Sequence, residues 1–358
     1  MFKKIIKYIR TVLLGYTTPH CIGVDISSTS IKLVDLIQES FKINYHYISN
    51  IQSSKISKDT FDDIDYIAKL LKTSYRLSGI TNKDIAFAIP QNLTITKEFT
   101  LPLIKNKIKL DEQVRMFLEK ELNDGDFEFD YQITNKTRQN IDVTAVLARK
   151  DKIEEYYALA QLSELDLSVI DIYSYAIINC LEKLFKVSSK VTNKNIVVFD
   201  MQINKLGVYY FIDKKYISHL EITTNYLEQI LPILREFKII DIAKNQLFEI
   251  IKLVNDEKIN QVDFIGMVYN DIIRIMQLLR SNLMTDKNII LEDVEQVVLF
   301  GINSLSTKLE TSIHNYFVDA EILNVSQLLK EYNPKMELTD LALLFPAISL
   351  AIRGNGID

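Results

Sequence analysis

The stretch CIGVDISSTSIKLVDL, residues 21–36, is an apolar strand that ends in Asp25, then a hydroxyl-rich turn, then a second apolar strand that carries Lys32. Amides and hydroxyls of such a turn can hold phosphate oxygens, and a carboxylate beside it orders a Mg²⁺ ion, usually through water. Lys32 would lie close enough to the phosphates to offset their charge. The stretch therefore predicts a phosphate-binding hairpin, whose candidate ligands are Asp25, Ser27, Ser28, Thr29, Ser30 and Lys32.

A second unit of the same kind, NIVVFDMQINKLGVYYF, occupies residues 195–211. A strand again ends in an Asp, and a polar turn leads into another apolar strand. Its candidate ligands are Asp200, Gln202, Asn204 and Lys205. An Asp before a polar residue is also an ordinary turn, so one hairpin alone would say little. The pair predicts a two-lobed protein with a cleft between the lobes.

The composition is typical of a globular protein. At 358 residues the chain is long enough for two or three domains of about 100 to 200 residues each. A net charge of -5 argues against a nucleic-acid surface, and no apolar run reaches the ~18 residues of a membrane span. The two cysteines, Cys21 and Cys180, lie in apolar settings and are predicted to be reduced core thiols. The four His residues show no metal-ligand spacing.

The first fourteen residues differ from this background, because apolar residues at helical spacing alternate with Lys3, Lys4, Lys7 and Arg10 and no acid is present. Two interpretations stay open. The segment is either a basic amphipathic helix that touches an anionic membrane or a partner, or it packs on the protein's own body or is partly disordered.

Hydrophobic periodicity predicts alternating strands and helices along the rest of the chain. The strands are expected at Asn44–Asn50, Ile85–Ile89, Thr94–Leu101, Phe127–Ile133, Val143–Ala148, Leu167–Ile172, Tyr216–Ile222 and Val297–Phe300. The helices are expected at Phe61–Leu77, Asp111–Leu122, Lys152–Ser163, Tyr173–Phe185, Tyr226–Phe237, Ile240–Ile251, Phe264–Met284, Ser304–Tyr316 and Leu341–Ile352.

The two hairpins resemble the phosphate-1 and phosphate-2 loops of the actin, hexokinase and chaperone ATPase superfamily. The stretch VVLFGINSL, residues 297–305, is similar to that superfamily's adenosine motif, which adds Gly301, Ile302 and Asn303 to the candidate nucleotide ligands. Tyr173–Leu181 and Leu344–Arg353 resemble the two connecting helices at the hinge.

Within the superfamily the chain resembles the PilM family of type IV pilus assembly proteins. The resemblance rests on Lys32–Leu36, Ile85–Pro90, Phe127–Ile133, Val143–Lys150 and Leu165–Ala176. The stretch FEFDYQI, residues 127–133, is the most specific, because it has no part in nucleotide binding and the related FtsA proteins lack it. The resemblance implies an α/β, actin-like two-lobed fold of duplicated ribonuclease H-like domains, with a small α+β subdomain inserted in the first lobe.

The expected domain organisation follows from this resemblance. A basic N-terminal extension covers 1–20, the first-lobe core 21–100, the inserted subdomain 101–165, the return to the first lobe with a connecting helix 166–190, the second lobe 191–340, and a C-terminal connecting helix 341–358.

The resemblance also implies a function in pilus biogenesis and twitching motility. It implies an adaptor of the inner-membrane assembly platform, cytoplasmic and peripheral at the inner membrane, that binds the N-terminal cytoplasmic peptide of PilN and other platform proteins. The candidate partner-binding residues are Phe129, Tyr131 and Val146, for which plain core packing is the competing interpretation. Homo-oligomerisation stays open.

The loops depart from the superfamily pattern, in which glycines let the backbone approach phosphate. Ser27 and Gln202 stand at the glycine positions, and Lys205 and Ile302 stand where small residues are usual. Two interpretations remain: weak binding of ATP, with Mg²⁺ ordered by Asp25 and Asp200, or a scaffold whose cleft holds no nucleotide. No residue is an evident general base, so at most a weak ATPase is expected.

Other functions on the same fold are an FtsA-like filament protein that polymerises and a small-molecule kinase. A kinase needs a catalytic Asp in the cleft, and Asp171 is the acid that the sequence places nearest to it. Its position before a connecting helix favours a helix-capping or hinge residue.

Overall fold

The computed structural model describes residues 20–27, 29–37, 40–51, 56–57, 60–103, 107–121, 126–191, 195–202, 204–226, 264–291 and 293–354. The basic segment 1–14, Ser28 and, apart from Tyr226, the helices predicted over 226–237 and 240–251 lie outside these residues.

Strands and helices alternate along the described chain. The strands are β1 (Ile22–Ile26), β2 (Ser30–Leu36), β3 (Ile43–Asn50), β4 (Ile56–Ser57), β5 (Thr60–Phe61), β6 (Asp84–Ile89), β7 (Thr94–Pro102), β8 (Phe127–Lys136), β9 (Asn140–Arg149), β10 (Asp166–Ile172), β11 (Ile196–Met201), β12 (Lys205–Ile212), β13 (Lys215–Thr223), β14 (Gln296–Phe300) and β15 (Glu321–Asn324). The helices are α1 (Ile64–Ser78), α2 (Lys107–Glu121), α3 (Lys150–Leu162), α4 (Tyr173–Val187), α5 (Phe264–Lys287), α6 (Thr307–Tyr316), α7 (Val325–Lys330) and α8 (Leu338–Gly354).

Two five-stranded sheets share one topology. In the first, the order is β10-β6-β1-β2-β3, with β1, β2 and β3 antiparallel and β6 and β10 parallel to β1. In the second, the order is β13-β12-β11-β14-β15, with β11, β12 and β13 antiparallel and β14 and β15 parallel to β11. This repeat is the duplicated ribonuclease H-like arrangement of an actin-like fold, so the predicted fold class is confirmed.

A small three-stranded sheet of order β7-β9-β8 follows β6 in the chain and returns through α3 to β10 of the first sheet. Helix α2 covers one of its faces, and Leu110, Val114 and Leu118 pack there against Val143 and Leu147. This is the inserted α+β subdomain in the first lobe. The boundaries proposed for it stay a prediction.

Helices α4 and α8 lie between the two large sheets. One buried cluster joins Val34 of the first sheet, Phe211 of the second, Leu181 of α4 and Phe345 of α8. Gly23 on β1 allows α8 to come this close, because a Cβ atom there would lie 1.8 Å from the backbone oxygen of Ala347.

The elements match the periodicity, with several boundaries shifted by up to four residues and four elements omitted. The helix predicted from Ser304 begins at Thr307, because the Ser306 hydroxyl caps it by accepting from the Leu309 amide at 3.3 Å. Strands β4, β5 and β15 and helix α7 were not predicted. Both cysteines are buried and free, and burial raises the pKa of each thiol to about 12, which confirms the reduced core thiols.

Replacing Gly23 by Ala tests the packing of α8. The added methyl group meets backbone atoms that cannot move aside independently, so Gly23→Ala is expected to lower the free energy of unfolding by about 3 kcal/mol in urea denaturation. Gly207→Ala is the matched control, since its Cβ would have its nearest neighbour at 3.2 Å in the Asp200 side chain. Equal effects of the two substitutions would contradict the assigned contact.

Candidate functional site

The polar groups of the first hairpin form hydrogen bonds and an ion pair with one another. Asp25 lies opposite Lys32 in the register of β1 and β2, and the Lys32 ammonium donates to the Asp25 carboxylate at 2.5 Å and to the Ser27 hydroxyl at 3.4 Å. The Ser27 amide donates to the Ser30 carbonyl at 2.9 Å, and the Ser30 amide donates to the Ser27 hydroxyl at 3.3 Å. Thr29 lies 3.4 Å from Ser27, hydroxyl to hydroxyl. The amides of Ser27 and Ser30 are therefore directed into the turn.

The carboxylate of Asp200, at the end of β11, is completely buried, and both of its oxygens accept hydrogen bonds from the chain. The Gln202 side-chain amide donates to one oxygen at 2.7 Å, and the Tyr173 hydroxyl donates to the other at 3.0 Å. Burial is the main reason why the pKa of Asp200 rises to about 6.

Lys205 supplies the positive charge beside this carboxylate. Its ammonium lies 3.9 Å from Asp200, donates to Glu221 at 3.1 Å, and sits 3.2 Å from the centre of the Tyr173 ring, where a cation–π interaction is favourable. Tyr173 begins helix α4, and burial, followed by the charges of Asp200 and Asp25 among others, holds the pKa of its phenol well above the ordinary value. The charges of both aspartates therefore act on the phenol of Tyr173.

The adenosine-like motif is tied to the second hairpin. Gly301 has a φ of 89°, and a Cβ atom there would lie 2.7 Å from the Met201 carbonyl oxygen. The side-chain amide of the buried Asn303 donates to the Gln202 carbonyl at 2.9 Å. Ile302 lies in the same short helical turn, and the Asn204 carbonyl accepts from the Thr224 amide at 2.9 Å.

These residues do not fit Mg²⁺-bound ATP. A hydrated Mg²⁺ ion needs carboxylate oxygens that face its water shell, whereas both oxygens of Asp200 are buried under Tyr173 and Gln202. The Lys205 ammonium already lies beside that carboxylate and balances its charge. Sequence reasoning missed Tyr173 as a cleft residue, because its partner Asp200 is 27 positions away and no local pattern indicates the contact.

A groove of about 1230 Å³ lies away from the two hairpins. One wall is the face of the β7-β9-β8 sheet opposite α2, and the other is formed by α4 and β13; we call it the subdomain groove. Its lining includes Glu98, Asp130, Val146, Tyr175 and Tyr216.

The predicted partner-binding residues divide between the two sides of the small sheet. Val146 lines the subdomain groove together with Thr144 of the same strand. Phe129 and Tyr131 form part of the groove wall, but their rings pack with the α2 cluster, where Arg115 stacks 4.8 Å from the centre of the Phe129 ring. The Tyr131 hydroxyl donates to Asp111 of α2 at 2.7 Å.

Asp171 connects the two hinge helices. Its carboxylate lies 3.0 Å from the Arg353 guanidinium of α8, and it also accepts from the Ile172 amide at 2.8 Å. The side chain does not cap α4, whose N-cap residue is Ile172. Of the two roles predicted for Asp171, the helix cap is wrong, and the ion pair fits a hinge residue.

Comparison with known proteins gives the family. A family model described as type IV pilus assembly protein PilM matches residues 23–222, more than half of the chain. The chain belongs to the PilM family. The chain is similar to the solved PilM-PilN type IV pilus biogenesis complex, with a TM-score of 0.72, 14% identity, and coverage of 94% of this chain and 98% of that chain.

A second solved structure, the ethanolamine utilization protein EutJ from Carboxydothermus hydrogenoformans, is similar with a TM-score of 0.50 and 13% identity. The match covers 98% of this chain and 97% of that one. At 14% and 13% identity, these two similarities show that the chain shares a fold with both structures. Among its described residues, no helix has the length and apolar character needed to cross a membrane, and no group of His, Cys, Asp or Glu is arranged to hold a metal ion.

The raised pKa of Asp200 predicts a pH-dependent stability. Between the ordinary value of 3.8 and the folded value of about 6, the folded chain keeps a proton that the unfolded chain has released, so the free energy of unfolding falls as the pH rises. From about pH 4 to about pH 7, the free energy of unfolding of the wild type should fall by roughly 3 kcal/mol relative to that of Asp200→Asn.

Urea denaturation at a series of pH values measures this difference. Asp213→Asn, which changes an exposed turn carboxylate of the same lobe, is the control and should run parallel to the wild type. A wild-type curve that also runs parallel to that of Asp200→Asn would show that Asp200 does not titrate as a buried group.

Proposed function

We propose that this protein is a cytoplasmic adaptor of the type IV pilus assembly platform, and that it binds the N-terminal cytoplasmic peptide of PilN in the subdomain groove. Membership of the PilM family and the fold shared with the PilM-PilN complex support the partner. The observation that carries the choice of surface is the groove itself, an open space of about 1230 Å³ between the inserted sheet and α4.

The groove suits an extended peptide because its two walls differ. Tyr175, Ile178 and Tyr216 form an apolar and aromatic wall for side chains that leave water, as in ligand sites generally. The sheet on the opposite side presents Thr144 and Val146 to the groove, together with acidic side chains. A peptide can thus bury one row of side chains and keep the other row in polar contacts.

A PilN peptide in this groove would hold the protein at the cytoplasmic face of the inner membrane. The basic segment with Lys3, Lys4, Lys7 and Arg10 would add electrostatic attraction to anionic lipid. Other platform proteins would then bind to surfaces of this protein outside the groove.

In this proposal the cleft between the hairpins is structural, and ATP binding is weak or lost. Superfamily members would hold the phosphates and Mg²⁺ through residues that correspond to Asp25, Lys32 and Asp200, but here those side chains pair within the chain. Within the described residues, the cleft acids Asp25 and Asp200 have partners, and Asp171 lines the subdomain groove and pairs with Arg353, which argues against a kinase that needs a catalytic Asp.

The adaptor proposal predicts saturable binding of a synthetic PilN N-terminal peptide. Val146→Lys puts a long charged side chain into the groove and is expected to weaken binding by at least about tenfold in fluorescence anisotropy titrations. Ile133→Lys is the control, since Ile133 is an exposed position of the same sheet that does not line the groove. An equal loss in both variants, or no binding by the wild type, would overturn the proposal.

The cleft proposal predicts that calorimetry with ATP and Mg²⁺ gives no saturable heat up to about 1 mM nucleotide. The same sample should still bind the PilN peptide, which shows that it is folded. A micromolar dissociation constant for ATP would mean that Tyr173, Gln202 and Lys205 move aside, and would contradict the assignment of a closed cleft.

A further inference from the structure

The groove-facing side of the inserted sheet is acidic. Alternate residues of its three strands face the groove, and they include Glu98 on β7, Glu128 and Asp130 on β8, and Asp142 on β9. Over residues 94–100, 128–134 and 142–148, none of the alternating positions is a Lys or Arg; they are Thr94, Thr96, Glu98, Thr100, Glu128, Asp130, Gln132, Thr134, Asp142, Thr144, Val146 and Ala148. Among the described residues, the groove lining contains six carboxylates and two cationic side chains.

The two cations leave much of this charge uncompensated. Arg353 is engaged by Asp171, 3.0 Å away, and Lys287 stands at the end of α5, opposite the sheet. His219 lies behind the Tyr216 wall, 2.6 Å from its hydroxyl, and burial lowers the pKa of this imidazole to about 4. It therefore adds no positive charge at neutral pH.

Glu98 differs from Asp130 and Asp142 of the same sheet face, which bond to neighbouring groups. The Asp142 carboxylate accepts from the Thr100 hydroxyl at 2.7 Å and from the Asn135 amide at 2.9 Å, and Asp130 accepts from the Tyr131 amide at 2.9 Å. Glu98 is exposed and has no ion-pair or hydrogen-bond partner among the residues that the structure describes.

The place of Glu98 in the groove follows from its neighbours. It lies opposite Thr144 in the sheet, and Val146 is the next residue of the partner strand on the same face. Across the groove, burial is the main cause of the raised pKa values of Tyr175 and Tyr216, and the charge of Glu98 raises both pKa values further. Glu98 is thus a groove carboxylate with no partner among the described residues, and it lies near the aromatic wall, where an occupant would remove it from water.

We propose that the peptide bound in the subdomain groove carries a Lys or Arg that pairs with Glu98, flanked by apolar side chains that pack on Tyr175, Ile178 and Tyr216. This inference rests on the proposed function and names the residue that selects the peptide by charge. Burying Glu98 without a cation would cost free energy, so a peptide lacking one is disfavoured.

The experiment titrates the full chain with the acetylated PilN N-terminal peptide and with a version whose Lys and Arg residues are replaced by Gln. The native peptide should bind more tightly than the Gln version. Glu98→Gln should weaken binding of the native peptide about fivefold and strengthen binding of the Gln version, because no unpaired charge is then buried. Raising NaCl from about 50 mM to about 500 mM should weaken the native peptide more than the Gln version. Glu310→Gln, an exposed acid on α6 outside the groove, should change neither.

Failure of this inference can be told apart from failure of the proposed function. If both peptides bind equally and Val146→Lys blocks both, the groove holds the peptide and the pairing with Glu98 is refuted. If neither peptide binds the wild type, the adaptor function itself is refuted. A PilN segment with no Lys or Arg in the bound stretch would also overturn the pairing.

Discussion

A buried carboxylate at the end of β11 determines how the two lobes meet. Asp200 is fully buried, and a carboxylate in such a place needs donors on both oxygens. The chain supplies Gln202 from the same hairpin and Tyr173 from helix α4, with Lys205 as the nearby cation. A site that would face nucleotide in an actin-like enzyme thus becomes an internal contact between the second sheet and the connecting helix.

Helix α4 links this contact to the groove. Its first residue, Tyr173, reaches Asp200, and two residues later Tyr175 lines the groove together with Ile178 one turn on. The position of the aromatic wall therefore depends on the same helix that closes the cleft. Helix α8 holds α4 in place through their shared core and through the pair of Arg353 with Asp171. In this account the cleft provides rigidity, and binding takes place at the groove.

The sequence pattern predicted those features that involve residues close together in the chain. The first hairpin, with Asp25 and Lys32 on its two strands, and the helix faces follow from the local pattern. That these two side chains pair with each other was not predicted, since both were assigned to bound nucleotide. The chemistry of Asp200 could not be predicted in this way, because it depends on Tyr173 from a distant segment. The alternation in FEFDYQI predicted a half-buried strand, but which side is the groove depends on where α2 packs. For that reason the acids Glu128 and Asp130, which face the groove, were passed over in favour of Phe129 and Tyr131.

The central claim, that binding takes place at the groove and not in the cleft, is tested most directly by methyl NMR of the full chain during two titrations. The PilN peptide should shift the methyl signals of Val146, Ile170 and Ile178, which line the groove. Saturating ATP with Mg²⁺ should leave Ile26 and Met201, beside the two hairpins, unchanged. Shifts at Ile26 and Met201 with ATP, together with an unperturbed groove in the presence of peptide, would contradict the account.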